Sequence, residues 1–383
     1  MDKYLALARD WRRHLHRHPE LSFQEFQTSA FVAREMGALP GAEIIRLTPT
    51  SVVVAFRTGR PGAKIGLRAD LDALPIQEER PDLSFQSETA GVMHACGHDG
   101  HTAMLMAVCV YLSDHRDALS GEIYAIFQHA EEVPPGGASE LLATGFFNDF
   151  DFIYGQHLLS SLPTGVIDIK EGACSANADV YRLNIIGRGG HAALPEQTID
   201  PVLLGAQFVT LLQTLVARRV APQEAMVISN TVFQAGTLQN IIPGTAFLMG
   251  SVRTVSSRGR DFARREIEAL IAGLCLTQGA RYEFDYQPGY DLTWNHPRKT
   301  QLVRALAEKR FGSAVESLPP LLIGEDFSAF AQRIPATFVF IGAGNEENHA
   351  PHHHPKFGLD EASLALGWQL MVDVARHGEI FRD

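Results

Sequence analysis

Three times between residues 52 and 157 an apolar run of strand length ends in acidic or imidazole side chains. Residues 64–68 lead into Ala69-Asp70-Leu71-Asp72, residues 121–127 into Gln128-His129-Ala130-Glu131-Glu132, and residues 151–155 into Gln156-His157. Strands that alternate with helices form parallel sheets, and open α/β sheets carry their sites at the C-terminal ends of the strands. The pattern predicts an α/β fold whose sheet delivers Asp, Glu and His to one place.

The connection between the first two of these strand ends adds sulfur. Residues 93–102 read MHACGHDGHT, a thiol and three imidazoles within eight positions. Cys96 and His98 stand two apart, so in an extended segment both side chains leave on the same face. Gly97 and Gly100 allow a tight bend, and Asp99 suits the N-cap of a helix over 99–115. Cys96, His98, Glu131, Glu132, His157 and a histidine from 349–354 exceed one tetrahedral zinc shell; they suit two ions plus one free carboxylate. Adjacent glutamates point apart, so one can hold metal while the other faces substrate and water.

Other candidates read as structural. A helix over 3–36, broken at His18-Pro19 and resumed behind a capping box from Ser22 to Glu25, spreads His14, His16 and His18 around its axis. Arg12, Arg13 and Arg17 beside them disfavour a bound cation. Cys109 and Cys275 lie in apolar helical runs and read as packing, while Cys174 has no assignment. Four cysteines are too sparse for a disulfide framework and suit a reducing compartment.

With 383 residues the chain is long enough for two domains. After residue 178 the rhythm becomes strand 180–187, helix 201–218, strands 225–234 and 246–254, helix 257–278 and strand 281–287. That order is βαββαβ, the ferredoxin-like unit. The α/β character then returns with a helix at 298–311, a strand at 337–342, the histidine cluster at 349–354 and a helix from Glu361. The expectation is a discontinuous catalytic domain of residues 1–177 and 289–383 with an inserted domain of residues 178–288. Lys and Arg total 33 against 44 Asp and Glu, a net charge of -11, which makes nucleic acid and anionic membrane poor partners. The first twenty residues hold no apolar run long enough for a signal peptide, and no apolar stretch reaches ~18 residues. The chain reads as cytoplasmic.

Several motifs occur in a shared order: RRHLHRHPELSFQE at the start, LRADLDALP at 67–75, MHACGHDGHTA at 93–103, QHAEE at 128–132 and GQHL at 155–158. GRGGHAALP at 187–195, QNIIP at 239–243, GSVRT at 250–254, IGEDFSAF at 323–330 and HHPKF at 353–357 follow. In them the chain resembles the di-metal amidohydrolases that include hippurate hydrolase, bacterial N-acyl-amino acid aminoacylases and plant hydrolases of indole-acetyl amino acid conjugates. The resemblance implies a di-metal exopeptidase-like catalytic domain, a mixed sheet sandwiched by helices, with a ferredoxin-like lid and dimerisation domain inserted in it. It also implies metal ligands Cys96, His98, Glu132, His157 and His353, with Glu131 as general base. His191 is implied to reach the partner subunit's site in a homodimer and stabilise the oxyanion, and Asn240 and Arg253 to hold substrate. Asp70 and Asp72 are candidates for orienting the ligands.

The implied reaction is hydrolysis of an N-acyl amino acid to a carboxylic acid and a free amino acid, by two divalent ions per subunit. Zinc or manganese suits these ligands, and nickel or cobalt is also accommodated. Carboxypeptidase or dipeptidase action on small peptides, or deacetylation of an N-acetyl-diaminopimelate, is the alternative. Cys96 as a nucleophile with a histidine base is a rival reading that a chelator would exclude. Metal storage is a third, which needs no spare carboxylate such as Glu131. The family usually has proline where His129 stands and a hydrophobic residue at Gln156, and VPPGGA follows Glu132 in place of a glycine-led turn; these departures bear on loop shape and substrate preference.

Overall fold

The computed structural model describes residues 1–382, and the chain divides into two compact units. The first comprises Met1–Cys174, Thr293–Pro319 and the chain from Asp326 onward; the second comprises Ser175–Leu292 and Pro320–Glu325. Pro320–Glu325 thus belongs to the second unit, whereas the sequence expectation assigned all of 289–383 to the first. A six-residue return carries no periodicity of its own, so pattern alone gives it no address.

The first unit is built on an eight-stranded mixed sheet. Its strand order is Glu43–Ile45, Val52–Arg57, Glu122–Gln128, Lys64–Asp70, Phe152–Pro163, Ala336–Gly344, Ile167–Asp168 and Val315–Glu316. The four strands from Glu122–Gln128 to Ala336–Gly344 run parallel. They are buried almost throughout, as parallel strands covered on both faces must be. Register sets Asp70 opposite Gln128 and His157 opposite Phe340. The helix His98–Asp114 carries no charged side chain between Asp99 and Asp114 and is buried from His98 to Cys109. It packs between Asp2–Arg17 and Ser363–Arg376, and Thr102 Oγ1 donates to Asp70 O at 2.6 Å, fixing it to a strand end.

Two expected helix caps are absent, each for a visible reason. The second helix starts at Phe26 with Glu25 at the N-cap and no side-chain cap bond. Ser22 Oγ instead donates to Asp72 Oδ2 at 2.7 Å, and Glu25 Oε1 accepts from Ala130 N at 2.8 Å. Asp99 likewise does not cap its helix, which begins at His98 behind Gly97 in the left-handed region (φ 97°). The Asp99 carboxylate accepts from Arg12 Nε at 3.2 Å and meets His16 Nδ1 at 2.9 Å. Burial opposes its charge, but Arg12 and His16 outweigh that and hold its pKa far below the usual carboxylate range. His16 is thus a buried bridge, its Nε2 reaching Glu78 Oε1 at 3.1 Å, while His14 packs on Phe31 and His18.

The second unit has the ferredoxin-like order. Its antiparallel sheet runs Met226–Ala235, Thr245–Thr254, Asn177–Ile186, Arg281–Gln287. Alternating burial along Asn177–Ile186 and Thr245–Thr254 turns one face to the helices Pro201–Arg219 and Ser257–Gln278. Asp200 and Ser256 cap those helices through backbone N–H groups. By length and mean hydropathy (1.3) alone Pro201–Arg219 would suffice to cross a membrane, although Gln207, Thr210, Gln213 and Thr214 interrupt its apolar residues. Its Leu204, Phe208, Leu212 and Leu215 are buried in this unit's core, the stripe of a helix that packs one face on a sheet, while Leu203 and Leu211 are exposed.

Beneath the parallel strand ends, Arg68 is fully buried. It donates to Asp70 Oδ2 at 2.6 Å, Asp326 Oδ1 at 2.8 Å and Gln128 Oε1 at 2.9 Å. Removing one member of a buried ion pair leaves an uncompensated charge, at a cost of about 3–5 kcal/mol. Arg68→Met, measured by urea denaturation, is expected to lose about that much stability; a loss within the error of the measurement would show that the carboxylates do not depend on Arg68.

Candidate active site

The connection after the bridge between Leu74 and Met93 brings Cys96 and His98 to the ends of the parallel strands. His98 Nδ1 lies 2.8 Å from Asp72 O, which makes it the donor and turns Nε2 inward without a proton of its own when the ring is neutral. That Nε2 is buried and has no hydrogen-bond partner. It stands 3.8 Å from Asp70 Oδ2 and 3.9 Å from both Glu131 Oε2 and Glu132 Oε1. His157 repeats the arrangement: Nδ1 lies 2.8 Å from Leu158 O, and Nε2 faces Cys96 Sγ at 3.5 Å. An imidazole that spends one N–H on a backbone carbonyl and aims the other nitrogen at a common centre is oriented as a metal ligand is.

The loop arms converge on the same point. Glu132 N donates to Asp72 Oδ2 at 2.9 Å, and Ala130 before the pair sits at φ 49°. Glu132 Oε1, also buried without a hydrogen-bond partner, lies 3.3 Å from His353 Nε2. His353 itself has φ 64°, a strained value for a side chain of this size, and is held there by its N–H on Ala95 O at 2.8 Å. Donor atoms of Cys96, His98 and His157 lie within 4.8 Å of one another, as do those of Cys96, Glu132 and His353, and of His98, Glu131 and Glu132. Five side chains expected as ligands, and the expected base, are therefore together in the first unit. Orphaned buried atoms among thiol, imidazole and carboxylate donors fit a divalent metal.

The electrostatics favour a cation. Burial works against charge on His98, yet Asp70, Asp72 and Glu132 outweigh it and push its pKa up to about 10. A proton is thus drawn to the place where a metal would sit. Burial and the carboxylates Glu132, Glu131 and Asp70 push the Cys96 thiol well up, so a thiolate there calls for a compensating positive charge. Burial, with His101 and His352 nearby, pushes His157 well down, keeping it neutral as a ligand must be. His101 fits no metal despite its proximity: Nδ1 meets Asp70 Oδ1 at 2.7 Å and Nε2 accepts from Leu158 N at 2.8 Å. Both nitrogens are spent, and Asp70 is spent between His101 and Arg68.

The remaining expected residues lie in the second unit. His191 and Asn240 are exposed neighbours across a short ladder of Gly190–His191 with Ile241–Ile242, where Ala192 N donates to Asn240 O at 3.1 Å. Arg253, on Thr245–Thr254, bonds Ser251 Oγ and Val252 O and makes no ion pair among the described residues. The departures from the family pattern are accommodated by specific contacts. His129 is buried with Nε2 3.0 Å from Glu140 Oε2, and Gln156 accepts from Tyr154 and reaches Met104 sulfur. His352, Arg68, Glu25 and Asp326 also shape the site. Only a tertiary partner distinguishes them, although the run His352-His353-His354 was a visible signal.

The sequence profile of Peptidase family M20/M25/M40 matches residues 66–377. An N-acyl-L-amino acid amidohydrolase of Geobacillus stearothermophilus is 47% identical over 280 residues, 73% of this chain and 75% of that one. Thermostable carboxypeptidase 1 of Saccharolobus solfataricus is 38% identical over 368 residues, 94% of this chain and 93% of its own. A crystal structure from Bacillus subtilis, described as a dinuclear metal-binding peptidase of family M20, superimposes with a TM-score of 0.86 at 32% identity, covering 99% of each chain. The chain belongs to Peptidase family M20/M25/M40 and is a hydrolase of amide bonds.

The turn behind the glutamate pair is tightly packed. Gly137 N donates to Ala130 O at 3.0 Å, and a Cβ on Gly137 would stand 1.9 Å from His129 O. Gly137→Ala must displace this backbone, and overpacking of this kind costs about 1–3 kcal/mol. Thermal unfolding should register that loss together with slower turnover. Unchanged stability and turnover would mean that the backbone yields freely and does not hold Glu131.

Proposed function

We propose that the chain hydrolyses N-acyl amino acids, of the hippurate, N-acetyl or indole-acetyl type, with two divalent ions held by Cys96, His98, Glu132, His157 and His353. The observation that carries the reading is the pair of buried, unpartnered atoms His98 Nε2 and Glu132 Oε1, aimed at one centre beside the Cys96 thiol and the bare Nε2 of His157. Ions in that shell would supply Lewis acidity, lowering the pKa of a water and polarising an amide carbonyl. Zinc and manganese suit the mixed sulfur, nitrogen and oxygen donors best.

The chain's own side chains do the rest. Glu131 takes the proton of the attacking water on its carboxylate and returns it to the leaving amine. Arg253, with no ion pair of its own among the described residues, suits the substrate's carboxylate through bidentate pairing. Asn240 holds the substrate by its amide, and His191 donates to the oxygen on which charge develops, in our reading from the second copy of a homodimer. The relatives that act on N-acyl amino acids and on peptide C-termini share the demand for an amide beside a free carboxylate.

A panel of N-acetyl, N-benzoyl and indole-acetyl amino acids, run beside dipeptides, tests the substrate class. N-acyl amino acids should turn over fastest; faster cleavage of dipeptides would replace this reading by a dipeptidase. The adjacent glutamates give a second test. Glu131→Gln should keep metal content and lower kcat by about 10² or more, the scale of a lost general base, whereas Glu132→Gln should lose metal. Exchanged phenotypes would reverse the two roles.

A further inference from the structure

Two imidazole nitrogens lie against the Cys96 sulfur, and their hydrogen bonds give them opposite characters. His157 Nε2, at 3.5 Å, belongs to a ring whose proton sits on Nδ1 facing Leu158 O, so it presents a lone pair. His352 Nδ1 is also at 3.5 Å, but its Nε2 accepts the backbone N–H of Ser160 at 3.2 Å. A neutral ring whose Nε2 is an acceptor carries its proton on Nδ1. The Nδ1–H lies on the edge of the ring that faces Cys96, within reach of its sulfur and of its backbone, and a protonated nitrogen offers no lone pair to a cation.

We infer that His352 is a positioning residue that donates its Nδ1–H to the Cys96 thiolate and fixes where that sulfur points, without itself being a metal ligand. The inference rests on the reading of Cys96 as a metal-bound thiolate. The half-buried ring is held from several sides. Phe357 packs on it with ring centroids 4.8 Å apart, and Ser160 Oγ donates to Ala350 O at 2.8 Å, tying the loop before it to the strand that supplies the Ser160 N–H. The cysteine side chain turns about a single bond, so one directed donor is enough to choose its orientation. A hydrogen bond to an ionised acceptor is among the stronger kinds, and it lowers the energy of the sulfur lone pairs. His352 and His353 are adjacent and thus divide the work: one holds the thiolate, the other faces Glu132.

The readout is spectroscopic. Metal-depleted full-length protein is reloaded with Co²⁺, whose thiolate charge-transfer band reports the sulfur lone-pair energy directly. His352→Leu removes the donor and should move the band to longer wavelength and weaken cobalt binding about 10- to 100-fold, the usual effect of losing a partner of a metal ligand. His352→Asn places an amide N–H close to where Nδ1 stands and should restore band and affinity. His352→Gln, whose amide reaches the Nε2 position, should not. The contrast between Asn and Gln decides the matter even if the Leu protein fails to fold. Wild-type band and affinity in folded Leu protein, or equal behaviour of Asn and Gln, would overturn the inference. So would loss of a whole cobalt equivalent with the charge-transfer band retained, because His352 would then be a ligand. Absence of the band in wild-type protein would remove the metal-thiolate reading, and this inference with it.

Discussion

Everything around the site depends on how a protein can bury several carboxylates together. Asp70, Asp72, Glu131 and Glu132 are gathered at the ends of parallel strands where little water reaches. Carboxylates taken out of water are costly unless positive charge or hydrogen bonds accompany them. Arg68 supplies that charge from beneath, and Asp72 is held by Ser22 Oγ and the Glu132 N–H. On the open side stand the imidazoles of His98, whose pKa rises to about 10 in answer, and of His353, 3.3 Å from Glu132. Four carboxylates set against Arg68 and His98 leave the cluster short of positive charge at the point where its unpartnered atoms meet.

The fold supplies the arrangement cheaply because parallel strands end together. Register puts Asp70 beside Gln128, and the chain that leaves each strand carries its donors onto the same edge. The helix that starts at His98 is anchored to that edge by Thr102 on Asp70 O and His101 on Asp70 Oδ1. The turn that carries Cys96 and His98 therefore sits on rigid elements, and the strained His353 and Ala130 are held by bonds to Ala95 and Glu25. Strain of this kind persists only where the surroundings over-determine it.

Much of this was legible in the sequence. Apolar runs ending in Asp, Glu or His marked the strands and their C-terminal ends, and the ferredoxin-like order followed from periodicity. Cys96, His98, Glu131, Glu132 and His157 stood out by residue type and spacing, the family resemblance picked His353 from the run at 349–354, and all six converge. What pattern could not give is which nitrogen or oxygen is already spent. His98 and His101 look alike in MHACGHDGHT, yet one keeps an open Nε2 and the other has both nitrogens bonded. Asp99 and Glu25 are good capping residues that serve buried long-range bonds instead, because Arg12, His16 and Ala130 reach them from far along the chain. Tertiary partners of this sort leave no local trace.

The central claim is that the donor cluster holds two divalent ions and that hydrolysis needs them. Metal-depleted protein titrated with Zn²⁺ or Mn²⁺, with bound metal counted by elemental analysis while amide hydrolysis is followed, tests it most directly. Two ions per chain at saturation, with no hydrolysis before metal is added and recovery as it binds, is the predicted result. Saturation at one ion, or hydrolysis undiminished in fully depleted protein, would contradict it.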